Sequence, residues 1–320
     1  MPSININMFD GRPDASCREW ELPSFGHPLS KFVLPLFILA ECRYRPIGTA
    51  LWVGPKVQFL LTAMHNITEA FRFEPKLERM FVQGDLPPSV TLNRASLWVL
   101  HQGSTSESEH KFSLIPIQTV NGGPPGDVAF GHPLFEANRP VLSLPLSFAP
   151  PRIGQTVWAV GYTGFEPREG IPEEDVANGS FDWNRDYRHR FLATQGSVQH
   201  IFTQRFDRGY CRGACFSFDN CLAHGQSGGP VISDSGAVVG INSCDVSLRF
   251  PSAMSLGSML YPLLLTGIQF GATLGGGNFK LNLNATRPLF ELVMEGVISS
   301  DGSAEHVAFH KLEDDAGYGV

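Results

Sequence analysis

The 320-residue chain has no long basic run and carries a formal net charge of −7. Nucleic-acid backbones are gripped by clustered Lys and Arg, so nucleic acid is set aside as the main partner. The densest basic stretch, Arg185 to Arg190 (RDYRHR), is interrupted by Asp186 and reads as a solvated loop. Long apolar runs are also scarce. Phe32 to Ala40 spans nine residues and contains Pro35, and Tyr261 to Ile268 is shorter still, against the roughly 20 that a membrane-spanning helix needs. No membrane partner is expected. The opening MPSININMFDGRPD, followed by Glu19 and Glu21, has neither the basic start nor the apolar core of a secretory signal. A cytoplasmic location is the expectation.

Cysteine is sparse too. Cys17, Cys42, Cys211, Cys215, Cys221 and Cys244 are too few for a disulfide framework in a chain of this size. Four of them fall between Cys211 and Cys244, which raises a structural zinc site as a rival reading, but no C-x-x-C pair supports it. Buried small apolar side chains are the favoured reading. The triplets Asn66-Ile67-Thr68, Asn178-Gly179-Ser180 and Asn284-Ala285-Thr286 match glycosylation acceptors, a meaning they hold only in a secreted protein.

What is present is a turn-rich globular composition, 42% hydrophobic and 17% charged with 33 Gly and 24 Pro, in a chain long enough for a large core. From Phe32 onward short apolar segments alternate with turn residues: FVLPLFILA, IGTALWVG and VQFLLTAMH, then LWVL, FSLIPI and DVAF. That rhythm is one of consecutive antiparallel strands. The proline-rich LPLSFAPPRIG marks a connector. A second series follows: QTVWAVGY, FLATQGSVQHIF, CFSF, PVISD and AVVGINS, with a hairpin at Ser235-Gly236. Two sets of about six strands predict an all-β fold of two packed six-stranded antiparallel barrels. AMSLGSMLYPLLLTGI and RPLFELVMEGVI have helix-like apolar spacing, FEPKLERM could form a helical turn, and the last stretch reads as a loosely held tail. The expected organisation is an N-terminal arm over 1–31, barrels over 32–143 and 144–250, and a C-terminal helical extension and tail over 251–320.

The chemistry gathers in three segments. In His224-Gly225-Gln226-Ser227-Gly228-Gly229-Pro230 the glycines remove the Cβ atoms that would crowd a projecting serine. The amides of Gly225 and Ser227 are candidate oxyanion donors. His65 follows the apolar run LLTAM, a suitable place for a general base, and Asp127 follows a Gly-Pro-rich turn, where it could orient the ring. Taken singly, each segment is a turn, a structural histidine or a cap.

Together they closely resemble the trypsin-like, chymotrypsin-fold serine peptidases, whose triad runs His, Asp, Ser; here the intervals are 62 and 100 residues. The resemblance covers roughly residues 32 to 250 and extends to IGTALWVG, VWAVGYTG and VVGINS. It implies an endopeptidase acting on protein or peptide substrates without a cofactor, with His65, Asp127 and Ser227 as triad. It further implies that the strand holding Ser243 pairs with substrate backbone beside the specificity pocket. Two positions depart from secreted members. Gln226 replaces the aspartate that pairs with a newly cleaved N-terminus, so the chain is closer to bacterial-type members made without a zymogen switch. Cys221 stands where Lys- and Arg-specific members carry an aspartate. Cys221, His224, Ser243 and Asp245 are the candidate substrate-binding residues. Rival readings are an idle peptide-binding module of the same fold, a hydrolase of esters or small amides, and a zinc-stabilised interaction protein. The loop Gln102 to Lys111 and the C-terminal extension are candidate sites for a regulatory partner.

Overall fold

The computed structural model describes residues 18–53, 59–83, 89–106, 109–122, 126–133, 144–204, 206, 211, 213–246, 254–265, 267–268, 279–282, 287–296 and 298–307. Most of the N-terminal arm with Cys17, the triplet at Asn284 and the end of the tail lie outside these residues.

Two closed barrels of six antiparallel strands form the body of the protein. The first comprises β1 (Val33–Ala40), β2 (Arg43–Val53), β3 (Phe59–Thr62), β4 (Ala95–Ser106), β5 (Glu109–Gly122) and β6 (Ala129–Pro133). Its ring order is β1-β2-β3-β6-β5-β4, closed by the pairing of β4 with β1. The second comprises β7 (Thr156–Glu166), β8 (Arg188–Phe202), β9 (Cys215–Phe218), β10 (Pro230–Ser233), β11 (Val238–Asp245) and β12 (Ser255–Met259). Its ring order, β7-β8-β9-β12-β11-β10, repeats the first. Closure gives almost every strand two partners and removes the exposed edges an open sheet would leave.

Strand alternation builds the interior. Along β7, Val157 and Ala159 turn into the second barrel's own core, while Trp158, Val160 and Tyr162 join a cluster shared between the barrels. That shared cluster meets Leu51, Phe59, Leu61 and Phe130 from the first barrel, with the rings of Phe59 and Phe130 edge to face at 5.7 Å. The helix Leu289–Met294 docks onto it through Leu289, Leu292 and Val293, an i, i+3, i+4 stripe.

Two expectations change. The expected helix in AMSLGSMLYPLLLTGI gives way to a strand: Ser255–Met259 is paired to β9 on one side and β11 on the other. The i, i+3 spacing of Leu256 and Met259 imitates a helical face, but the second barrel has only five strands without this segment, and pairing on both edges outweighs a weak local preference. Only Tyr261–Leu265, directly after it, makes a short 3-10 turn. The stretch from Gln102 to Lys111 is no long loop either. Gln102 faces Phe112 and Gly103 faces Lys111 across the β4–β5 ladder. The polar run GSTSESEHK carries no apolar alternation, so the strand signal is missing there.

Candidate active site

The first barrel supplies an imidazole and a carboxylate from neighbouring strand ends. β3 stops at Thr62, and Met64–Thr68 forms a one-turn helix, α1, with His65 in its first turn. Met64 N donates to Asp127 O at 3.2 Å, which ties the residues preceding β6 to the start of α1. The Asp127 carboxylate is 9% exposed and reaches His65 twice: Oδ1 accepts from the His65 backbone N at 2.9 Å, and Oδ2 lies 2.8 Å from His65 Nδ1. Both the place and the rotation of the ring are fixed this way. Burial pulls the His65 pKa down, but the charge and hydrogen bond of Asp127, with smaller help from Glu69 and Cys211, outweigh it and leave the pKa raised above 6.5.

The second barrel supplies the serine from the loop before β10. Ser227 O accepts from Thr49 N at 2.8 Å and from Asn66 Nδ2 at 2.9 Å, so β2 and α1 of the first barrel grip the loop directly. Thr49 also donates its Oγ1 to Gly225 O at 2.8 Å, accepts from Tyr162 N at 2.9 Å, and takes the Thr62 hydroxyl on its carbonyl at 2.7 Å. Gly228, at φ +90°, lets these elements close in: a Cβ there would lie 2.1 Å from Thr49 O. Gly225, at φ +100°, is similarly confined, 2.7 Å from Tyr162 O and from the Phe165 ring.

The loop's amides divide into two groups. Gln226 N donates to Ala223 O, Gly228 N to Asn242 O and Gly229 N to Gln226 O, at 3.1, 2.8 and 3.0 Å. The other two are turned by their carbonyl partners. His224 O is held by Thr163 Oγ1 at 2.7 Å, and Gln226 O by Gly229 N and by Asn242 Nδ2 at 3.2 Å. In a trans peptide the N–H points opposite the C=O. The amides of Gly225 and Ser227 therefore face away from these anchors.

Ser243, fully buried on β11, joins the halves. Its hydroxyl donates to Asp127 Oδ2 at 2.6 Å, and its carbonyl accepts from Ser227 Oγ at 2.7 Å. His65, Asp127, Ser243 and Ser227 thus form one connected constellation. Of the remaining candidates, Cys221 and His224 are exposed in the loop before Ser227, and Asp245 is exposed at the end of β11. Gln226 is fully buried, and its Oε1 accepts from Ala223 N at 2.7 Å.

The cysteines show no bridge among the described residues. Cys211 and Cys215 are buried, with Cys244 beside them, in an apolar cluster with Val246 and Leu256. Burial raises the Cys244 pKa to about 12. Among the described residues no group of three or more His, Cys, Asp or Glu is placed to hold a metal ion.

Residues 48–241, more than half of the chain, match the family model described as a trypsin-like peptidase domain. The chain belongs to that family. Solved protease structures match the chain at low identity. The Rv3671c protease from M. tuberculosis in its active form is 15% identical, with a TM-score of 0.42 over 75% of this chain and 82% of that one. The MamO protease domain from Magnetospirillum magneticum is 16% identical, with a TM-score of 0.41 over 72% and 93%. The HtrA-type protease AlgW with decapeptide is 13% identical, with a TM-score of 0.42 over 71% and 61%. No curated protein sequence matches the chain.

Thr49, Asn66, Thr163 and Asn242 carry the site's geometry, yet their sequence setting singles out none of them. Thr49 lies in IGTALWVG, which signals a family strand but not a clamp on the serine loop. Their partners are distant along the chain, so no local spacing reveals them.

Proposed function

We propose that the protein is a serine endopeptidase in which Ser227 is the nucleophile, His65 the general base and Asp127 the group that orients and charge-stabilises the imidazole. The observation that carries this reading is the double hold of Asp127 on His65, joined through Ser243 to a serine whose loop turns two amides outward. His65 Nδ1 is occupied by the carboxylate, which leaves Nε2 as the proton acceptor.

In the structure the Ser227 hydroxyl donates to the Ser243 carbonyl. Attack requires rotation about its Cα–Cβ bond, so that the proton passes to His65 Nε2 while Oγ bonds the scissile carbonyl carbon. The carbonyl oxygen takes the electron pair and is held by the Gly225 and Ser227 amides. Collapse expels the amine, protonated by His65, and water repeats the sequence to release the acid. The Ser243 carbonyl, freed by that rotation, is the acceptor for a substrate backbone N–H, with Cys221, His224 and Asp245 bordering the side-chain pocket. Gln226 caps its own loop, so the loop needs no newly cleaved N-terminus to hold it.

Peptide binding without turnover is the second reading, and the same Ser227 to Ser243 hydrogen bond favours it. Hydrolysis of a peptide library by wild type and Ser227→Ala separates the two. A fall of roughly 10⁴- to 10⁶-fold in kcat with unchanged peptide affinity supports the peptidase. Absence of turnover in a wild type that still binds peptide selects the binding module.

A further inference from the structure

We infer that the helical segment following His65 carries a docking surface for an acidic stretch of a protein substrate; as a role in substrate capture, this rests on the peptidase reading above. From α1 the chain runs through a 3-10 turn, Glu69–Phe73, into the helix α2, Pro75–Gln83. A depression of about 490 Å³ is lined by Lys76, Arg79 and Arg94 together with Glu74, Pro75 and Met80. A second, of about 620 Å³, shares Pro75 and Arg94 and continues past Phe73 and Leu92 towards the β1–β2 turn, where Glu41 and Glu173 line its far end. The result is a groove whose cationic end is formed by Lys76, Arg79 and Arg94, with apolar contact points beside it.

Cations outnumber carboxylates in the first depression, three to one. Arg18, Arg45, Arg72, Arg185 and Arg190 each pair with a carboxylate. Lys76, Arg79 and Arg94 make no ion pair among the described residues. The carboxylate lining the same depression, Glu74, is held by backbone, with Oε1 accepting from Asn93 N at 2.6 Å and from Arg94 N at 2.5 Å. In a chain of net charge −7 a local concentration of unpaired cations attracts anions against the mean field. Three cations are too few for a nucleic-acid track, whose affinity grows with the number of phosphates neutralised. They match a short run of Asp and Glu side chains, whose backbone and apolar neighbours find Pro75, Met80, Phe73 and Leu92 alongside.

The test uses the full chain carrying Ser227→Ala, so that binding is read without cleavage. A fluorescent peptide with an Asp/Glu run is titrated by anisotropy against its Asn/Gln counterpart, with and without Lys76→Ala, Arg79→Ala and Arg94→Ala together. The expected result is preference for the acidic peptide, weakened at least tenfold by the triple variant and by raising salt from 50 to 200 mM. Retained binding in Arg79→Lys with Arg94→Lys, and unchanged melting of the triple variant, tie the loss to charge. In the active chain the triple variant should raise KM for a peptide bearing the acidic run and leave hydrolysis of a small ester unaltered. Equal affinity for both peptides, or an unchanged Kd in the triple variant, overturns the proposal. So does tighter binding of a single-stranded oligonucleotide, or a gain in peptide affinity on neutralising Glu313, Asp314 and Asp315, which would assign the groove to the chain's own tail. Failure of peptide hydrolysis alone leaves the binding result standing, so the two readings fail separately.

Discussion

The two barrels share one strand order but hold their functional residues differently. In the first, His65 and Asp127 sit on adjoining segments and are fixed by hydrogen bonds to each other, while the main chain beside them has room: among the described residues a Cβ on Gly126 would meet only Val128 N, at 3.8 Å. In the second, the Ser227 loop is held by side chains on its carbonyls and is also confined by backbone closeness, with Thr49 O 2.1 Å from a Cβ on Gly228. The side that must orient a ring uses side-chain bonds. The side that must aim two amides adds steric confinement to side-chain anchors on its carbonyls, because amide direction is a property of the main chain.

The sharpest way to break this contrast is to add one methyl to each side. Gly228→Ala forces both an overpacked contact and a left-handed backbone on a side chain, and it should destabilise the protein by about 3–5 kcal/mol and abolish turnover. Gly126→Ala should stay within about 0.5 kcal/mol of wild type. Urea unfolding monitored by fluorescence reads both, and similar losses would remove the distinction.

A smaller effect is expected at the junction. Ser243→Ala deletes a 2.6 Å hydrogen bond to the Asp127 carboxylate while leaving the main-chain carbonyl that Ser227 uses. It should cost about 1–3 kcal/mol in stability and transition-state stabilisation together, read as lower kcat with little change in KM. A change in KM alone would place Ser243 in substrate binding instead.

The pH profile gives a third comparison. The base must be neutral to accept a proton, so the raised His65 pKa puts the acid limb of kcat/KM above 6.5. In Asp127→Asn the charge that raises it is gone and burial remains, so the limb should move to lower pH as the rate falls. A limb that stays in place would detach His65 from Asp127.

The smallest effect concerns the aromatic seam behind the site, where His189 lies 4.7 Å from the Tyr162 ring and 5.0 Å from the Tyr187 ring. Burial lowers the His189 pKa to about 4. The unfolded chain takes up this proton near pH 6.5 and the folded chain only near 4, so stability is complete above 6.5 and declines across that window. His189→Leu should flatten that part of the pH-stability curve, measured by thermal melting.

Much of this was legible in the sequence because the signals were local. Short apolar segments between turns gave both barrels, and the Gly-Gln-Ser-Gly-Gly run, His65 and Asp127 each announced a possible role within a few residues. What escaped was non-local. The strand Ser255–Met259 is decided by two partner strands, and its own residues prefer nothing strongly. Thr49 and Asn66 act on a loop some 160 to 180 residues away. The strand pairing of Gln102 with Phe112 escaped because the segment between them, GSTSESEHK, is polar and carries no apolar alternation.

The most direct test of the central claim is intact-mass and peptide-mapping analysis of the protein treated with a fluorophosphonate, in wild type, Ser227→Ala and His65→Ala. The account predicts a single adduct on Ser227 in wild type, none in Ser227→Ala, and labelling slowed by several orders of magnitude in His65→Ala. An unlabelled wild type, or an adduct on another serine, would contradict it.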